Sequence, residues 1–247
     1  MNVIDCHIHF GQFGDINYTP EILVEKMRNL SVSTWCGMPF FSDQPFDVTS
    51  LINNYKQLLI LAPTEFKPIL AIDPEMIGNI SNIQYFNDIQ FMAIKIHPYI
   101  HHWLPFSAKF EQMLNFVRYK NIPLMIHTGG RALSDAGIFF NVCKSNPDIK
   151  FVLCHGRPAE EAIKVMLNSE NVYVDTAFMD VEDIKLMISE GLHQRIIFGS
   201  DFPANQHFQP EITDIDWYND RIDELVSHFG KEIFEVFNNN YEHVFKI

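Results

Sequence analysis

The sequence predicts an α/β protein folded as a single (β/α)8 TIM barrel, regular or distorted, over residues 1–247. Three observations predict it. The length of 247 residues is close to the roughly 250 of a barrel built from eight strand–helix units. Short apolar runs rich in β-branched residues alternate with longer amphipathic ones, the pattern of parallel strands joined by crossover helices. No Gly-, Ser- or Pro-rich linker, internal repeat or low-complexity stretch divides the chain.

The elements follow in order. Strands are expected at 3–10, 32–38, 66–72, 91–97, 123–128, 150–155, 171–176 and 195–201, each a short apolar run. Between them the spacing predicts helices at 20–30, 47–61, 77–88, 107–120, 132–145, 158–168 and 180–190, and the tail from 210 to 247 reads as one or two more. Eight strands, each followed by a helix, is the count of a closed barrel.

Composition narrows the function. With 47% hydrophobic and 20% charged residues the chain has enough apolar material for a sizeable core. Its net charge of −13, from 31 acidic and 18 basic residues, lacks the basic footprint of a nucleic-acid binder. A small anionic substrate is still compatible, because charge inside a pocket can oppose the global sign. Cys6, Cys36, Cys143 and Cys154 lie far apart and suit reduced, buried thiols, hence a cytoplasmic protein. No signal-peptide pattern and no run of about 18 apolar residues is present, so no membrane partner is expected. The expected partner is a small molecule; aromatic-rich loops also allow a homodimer.

A barrel places its chemistry at the C-terminal ends of the strands. The first predicted strand carries Asp5-Cys6-His7-Ile8-His9. Strict alternation puts positions 5, 7 and 9 on one face and turns Cys6 and Ile8 toward the helices, so two imidazoles can approach one metal ion. The fourth strand ends in Lys95-Ile96-His97, where Lys95 and His97 share a face, and a Lys inside a barrel is costly unless paired or chemically changed. The fifth ends at His127, the sixth at His155 and the eighth at Asp201. A single strand-end histidine is usually a satisfied core or loop residue. Five strand ends carrying His, Lys or Asp at one rim are not independent accidents, and they point to a shared metal site with Asp5 as a supporting partner. His97, Arg131, Arg157 and Trp103 are candidate substrate contacts in the loops of that rim, and His101 and His102 could line its mouth. His193, His207, His228 and His243 carry no spacing signal.

With these residues assembled, the chain resembles the amidohydrolase superfamily, most of all its group of metal-dependent hydrolases and aminocarboxymuconate-semialdehyde decarboxylase-type proteins. The matching pieces are DCHIHF, IKIHP, MIHTGG, LCHG, NVYVDT and IIFGSDFP, with NNNYEHVF as a closing helix. The resemblance implies a divalent cation, Zn²⁺ before Mn²⁺, Fe²⁺ or Ni²⁺, held by His7, His9, His127 and Asp201. His155 would be a ligand of a second ion or a catalytic group that holds the oxyanion or acts as acid. Lys95 occupies the position of a carbamylated, metal-bridging lysine in some members, while others use one metal, the favoured count here. The implied activity is hydrolysis of a small amide, lactone or ester by activated water, with Asp201 carrying the proton to the leaving group. The alternatives are non-oxidative decarboxylation of a small carboxylic acid and a non-catalytic metal-binding barrel. A nuclease is disfavoured by the acidic balance and by Lys95, where Glu would be expected.

Overall fold

The computed structural model describes residues 3–30, 32–78 and 87–245. Nine strands are present among them: β1 Ile4–Phe13, β2 Ile16–Tyr18, β3 Thr34–Pro39, β4 Phe66–Ala71, β5 Ala93–Ile96, β6 Leu124–His127, β7 Phe151–Cys154, β8 Val172–Asp175 and β9 Ile196–Ile197. The order is β2-β1-β3-β4-β5-β6-β7-β8-β9, and all pairs are parallel except β1–β2. Eight strands therefore correspond to the eight expected ones, and β2 is an added arm.

Closure comes from the segment after β9. The backbone N–H of Cys6 donates to Phe198 O at 2.9 Å, that of Asp201 to His7 O at 2.8 Å and that of His9 to Phe202 O at 2.7 Å. Residues 198–202 thus run along β1 and complete the barrel, with Ile8 and Phe202 forming a parallel bridge. This seam is the distorted part. Its ladder is short because the chain must leave regular geometry to present Asp201.

Helices cover the outside, and their ends are set by local chemistry. Thr19 precedes Pro20 and accepts from the Ile22 N–H, starting the helix Pro20–Arg28. Asp47 caps Val48–Leu61, Ser107 caps Ala108–Lys120 and Thr213 caps Asp214–Phe229 in the same way. Strand residues such as Phe66, Ile94, Ile126 and Leu153 pack outward against these helices. The alternate positions, Cys36, Ile69, Ala93, Met125 and Val152 among them, fill the barrel interior. At the N-terminal end of the strands Tyr241, Val244 and Phe245 join this interior cluster and shut the barrel.

Three expectations change. The first strand runs on to Phe13 and turns back through Gly14, at φ +57°, to form the β1–β2 hairpin. The helix expected at 132–145 becomes two 3₁₀ turns, Ala132–Ser134 and Ala136–Phe139, before the helix Phe140–Ser145. The helix expected at 77–88 falls mostly on residues 79–86, outside the described residues; the described part is the helix Pro74–Gly78. No helix among the described residues is long and apolar enough to cross a membrane.

Candidate metal centre and active site

The end of β1 departs from strict alternation. The β1–β3 register shifts between Asp5 and Ile8. Cys6, expected outside, lies in the interior cluster, while Asp5 turns to the helix layer and accepts from Tyr218 Oη at 2.9 Å. The shared face of Asp5, His7 and His9 is therefore corrected: an irregularity separates Asp5 from the two histidines. Asp5 still supports the site from behind. Its Oδ1 accepts from the backbone N–H of His7 at 2.9 Å and of Ser200 at 3.1 Å, tying the two sides of the seam together. Burial pushes its carboxyl up to about 6, and the hydrogen bonds with Ser200, His7 and Tyr218 only partly offset this.

Each floor histidine has its outer nitrogen engaged. His7 Nδ1 lies 2.9 Å from Asp175 Oδ2, His9 Nδ1 3.1 Å from Pro39 O and His155 Nδ1 3.0 Å from Ala177 O. All three partners are acceptors, so each Nδ1 must donate a proton. In the neutral ring this leaves a lone pair on Nε2. Those nitrogens converge: His7 Nε2 is 3.2 Å from His9 Nε2, and Asp201 Oδ1 is 2.8 Å from His9 Nε2 and 3.5 Å from His7 Nε2. His155 Nε2 is 3.8 Å from Asp201 Oδ2 and 3.1 Å from His127 Nδ1. Ligand atoms of His7, His155 and Asp201 all lie within 4.8 Å of one another.

Two of these side chains arrive by unusual backbone. His155 follows the inward-facing Cys154, so alternation alone would turn it outward. It has φ +67°, and Asp201 has φ +64°. A left-handed conformation in non-glycine residues costs about 1–3 kcal/mol each and persists only where surroundings enforce it. Both positions aim a polar group at the same point. Gly199 allows the seam to close, since a Cβ there would stand 2.8 Å from His7 Cβ.

The electrostatics ask for positive charge. Burial drives His9 down, His127 well down and His155 to about 4, so these rings are neutral, the form that binds metals. Burial and Lys95 also press on His7, yet Asp201 and Asp175 outweigh them and hold it up at about 10. Asp201 is held well below the carboxylate range because its histidine neighbours outweigh burial. A carboxylate oxygen at 2.8 Å from an imidazole lone pair is repulsive unless a cation or a proton lies between them. The donor set, imidazole nitrogens plus one carboxylate, fits a divalent cation.

The remaining candidates sort by position. Lys95 is buried at 1% exposure, with Nζ 3.2 Å from His7 Nε2, so the structure places it at the cluster. His97 stacks on His127, with ring centroids 3.8 Å apart at 17°. Arg157 is half-buried and its guanidinium donates to Phe178 O, and Arg131 is exposed above the Tyr99 ring at 5.3 Å. Neither points its charge into the cluster. Trp103 is corrected from the pocket mouth to the core: at 1% exposure it packs edge-on to Phe110, because the turn after β5 folds back under the helix Ala108–Lys120. His155, with its Nδ1 proton on Ala177, presents a lone pair and not a proton at Nε2 while neutral.

Sequence reasoning passed over Asp175. Fully buried at the end of β8, it accepts from His7 Nδ1 and, through Oδ1, from the backbone N–H of His155 at 2.9 Å. It orients two of the convergent histidines at once. The signal was an acidic residue closing an apolar strand in NVYVDT. Phe40, stacked on His9 at 4.8 Å and 12°, forms the aromatic wall beside them.

An Amidohydrolase family model matches residues 83–224, more than half of the chain. The chain belongs to the amidohydrolase family. The matched span holds His97, His127, His155, Asp175 and Asp201, and the fold brings His7 and His9 to them from outside it. No curated protein matches the chain. Solved structures share the amidohydrolase barrel at low identity. A probable 2-pyrone-4,6-dicarboxylic acid hydrolase from Acinetobacter baumannii with citric acid bound is 16% identical, over 99% of each chain, with a TM-score of 0.70. A 5-carboxyvanillate decarboxylase from Novosphingobium aromaticivorans, complexed with manganese and 4-hydroxy-3-methoxy-5-nitrobenzoic acid, is 11% identical over 99% of this chain and 96% of its own, at 0.73. An amidohydrolase from Burkholderia multivorans with bound zinc is 10% identical over 99% of both chains, at 0.68.

Proposed function

We propose that this amidohydrolase-family chain is a metal-dependent hydrolase of a small amide, lactone or ester. The observation that carries the reading is the set of imidazoles at His7, His9 and His155. Each gives its Nδ1 proton to a fixed acceptor and presents Nε2 toward Asp201. Such pre-set tautomers are what metal-ligating histidines require. His7, His9 and Asp201 would hold the ion, with His155 and His127 completing the set. Zinc is the first choice for this donor set, and the zinc and manganese bound by two structural neighbours support a divalent cation. The ion would act as a Lewis acid on a substrate oxygen and make water a nucleophile near neutral pH.

The chain's own residues supply the rest. Asp201 is largely buried, at 14% side-chain exposure, and ionised, with one carboxylate edge at the histidines. Its free oxygen takes a proton from the attacking water and returns it to the leaving group. Lys95 adds fixed positive charge behind His7 and favours an anionic transition state. Phe40 and Phe41, both buried, shield one side of the cluster from water.

The test is elemental analysis of the purified protein followed by a panel of lactones, esters and amides. Metal in stoichiometric amount with metal-dependent release of alcohol, acid or amine is expected. Metal-dependent release of carbon dioxide from small carboxylic acids instead would replace hydrolysis with decarboxylation. A protein that binds metal and turns over nothing would be a non-catalytic barrel.

A further inference from the structure

The imidazoles at this rim are not chemically alike. In His7, His9 and His155, Nδ1 faces an acceptor and Nε2 is left to bind. In His97 the polarity is reversed. The backbone N–H of Ile100, in the first turn of the segment Pro98–His101, donates to His97 Nδ1 at 3.3 Å. A backbone N–H has only a proton to offer, so Nδ1 presents its lone pair and the ring proton of the neutral imidazole sits on Nε2. A ring in this tautomer cannot ligate through Nε2. It can only donate there.

The ring is also held in place. One face lies on His127, with centroids 3.8 Å apart and planes at 17°, and Phe41 approaches at 5.6 Å and 52°. His97 is half-buried, and among the described residues its Nε2 has no hydrogen-bond partner. The ring thus carries a donor that no described group pairs. Lys95 lies two residues earlier on the same strand face, a positive charge that favours an anion at this corner. Phe41, itself buried, packs beside the ring and fixes it further.

We propose that His97 is a substrate-binding residue whose fixed Nε2–H donates to one oxygen of a substrate carboxylate. This rests on the reading of the convergent cluster as the site where substrate binds. His97 then selects by hydrogen-bond polarity: an acceptor oxygen is welcomed and a donor such as an amino group meets an N–H it cannot pair with.

Benzoate is the probe. In protein carrying ¹⁵N-labelled histidine, long-range ¹⁵N–¹H spectra are expected to show His97 with its proton on Nε2, and to show it there still after zinc loading. Added benzoate shifts that resonance. His97→Phe keeps a ring on His127 without the donor; it is expected to take up as much zinc as the parent but to bind benzoate at least about tenfold more weakly. His97→Gln, which restores an N–H, recovers part of the loss. Loss of the Nε2 proton on zinc loading would make His97 a ligand and overturn the proposal. So would parent-like benzoate affinity in His97→Phe, or a parent that binds no benzoate at millimolar concentration. None of these readouts needs turnover, so a protein that gives the expected spectra and hydrolyses nothing would remove the hydrolase reading and leave this one standing.

Discussion

At the N-terminal end of the barrel, Cys36, Ile69, Met125 and Val152 meet Tyr241, Val244 and Phe245 in a mainly apolar plug. At the opposite end β5, β6 and β8 bring Lys95, His127 and Asp175, and the turns after β7 and β9 carry His155 and Asp201 on left-handed backbone. One end is lined by buried, mainly apolar side chains. The other buries five polar or charged side chains (His7, His9, Lys95, His155 and Asp175) around a point that calls for positive charge. Burial of that kind is costly unless paired. The difference teaches that stability and chemistry are separated along the strand axis, as the barrel architecture permits. Substitutions at the two ends should therefore fail in different ways.

The largest contrast is expected at Asp201. Asp201→Asn keeps the shape but cannot accept a proton, so turnover on a substrate found by the panel should fall by about 10³-fold or more. Thermal unfolding should move little, and a variant with parent-like turnover would break the division between the ends. The opposite signature is expected at Phe245, 1% exposed in the plug. Phe245→Ala should cost about 3–5 kcal/mol in denaturant unfolding while the metal content per folded molecule stays at the parent level.

The seam between the ends gives a pH test. In the fold Asp5 holds its proton up to about 6, against 3.8 for the ordinary group, because it is buried. The unfolded chain releases that proton first. Between these values the folded state binds more protons, so stability falls as pH rises, by about 3 kcal/mol over the window. Asp5→Asn should flatten this part of the stability–pH curve, and an unchanged slope would remove Asp5 as its source.

Smaller effects sharpen the boundary of the polar end. Asp175→Asn loses the charge that orients His7 and His155, and metal affinity should drop by about 10- to 100-fold, read by competition with a chelating dye. Arg131→Ala removes only an exposed cation above Tyr99, 5.3 Å away. Its cost should stay near or below about 1 kcal/mol of stability, with metal affinity untouched.

Much of this was legible in the sequence for a physical reason. The eight parallel strands are buried on both faces, so they appear as short apolar runs, and polar groups gathered at one rim must interrupt those runs at one end. His127 and Asp201 stood out in that way. What stayed hidden depends on departures from regular geometry. The register shift at β1 sends Cys6 inward and Asp5 to Tyr218, and no residue type in DCHIHF announces it. Left-handed backbone re-aims His155, against the alternation that the strand pattern implies. Trp103 reads as a loop aromatic beside two histidines, and only the fold back onto Phe110 shows it as core. Asp175 was visible as a letter, but its two hydrogen-bond partners, His7 and His155, are 168 and 20 positions away.

The most direct test is anomalous diffraction at the zinc edge from crystals of the zinc-loaded protein. A strong peak about 2.1 Å from the Nε2 atoms of His7 and His9, with an Asp201 oxygen beside it, is the expected result. No peak at the rim, or a peak whose neighbours exclude His9 and Asp201, would contradict the account.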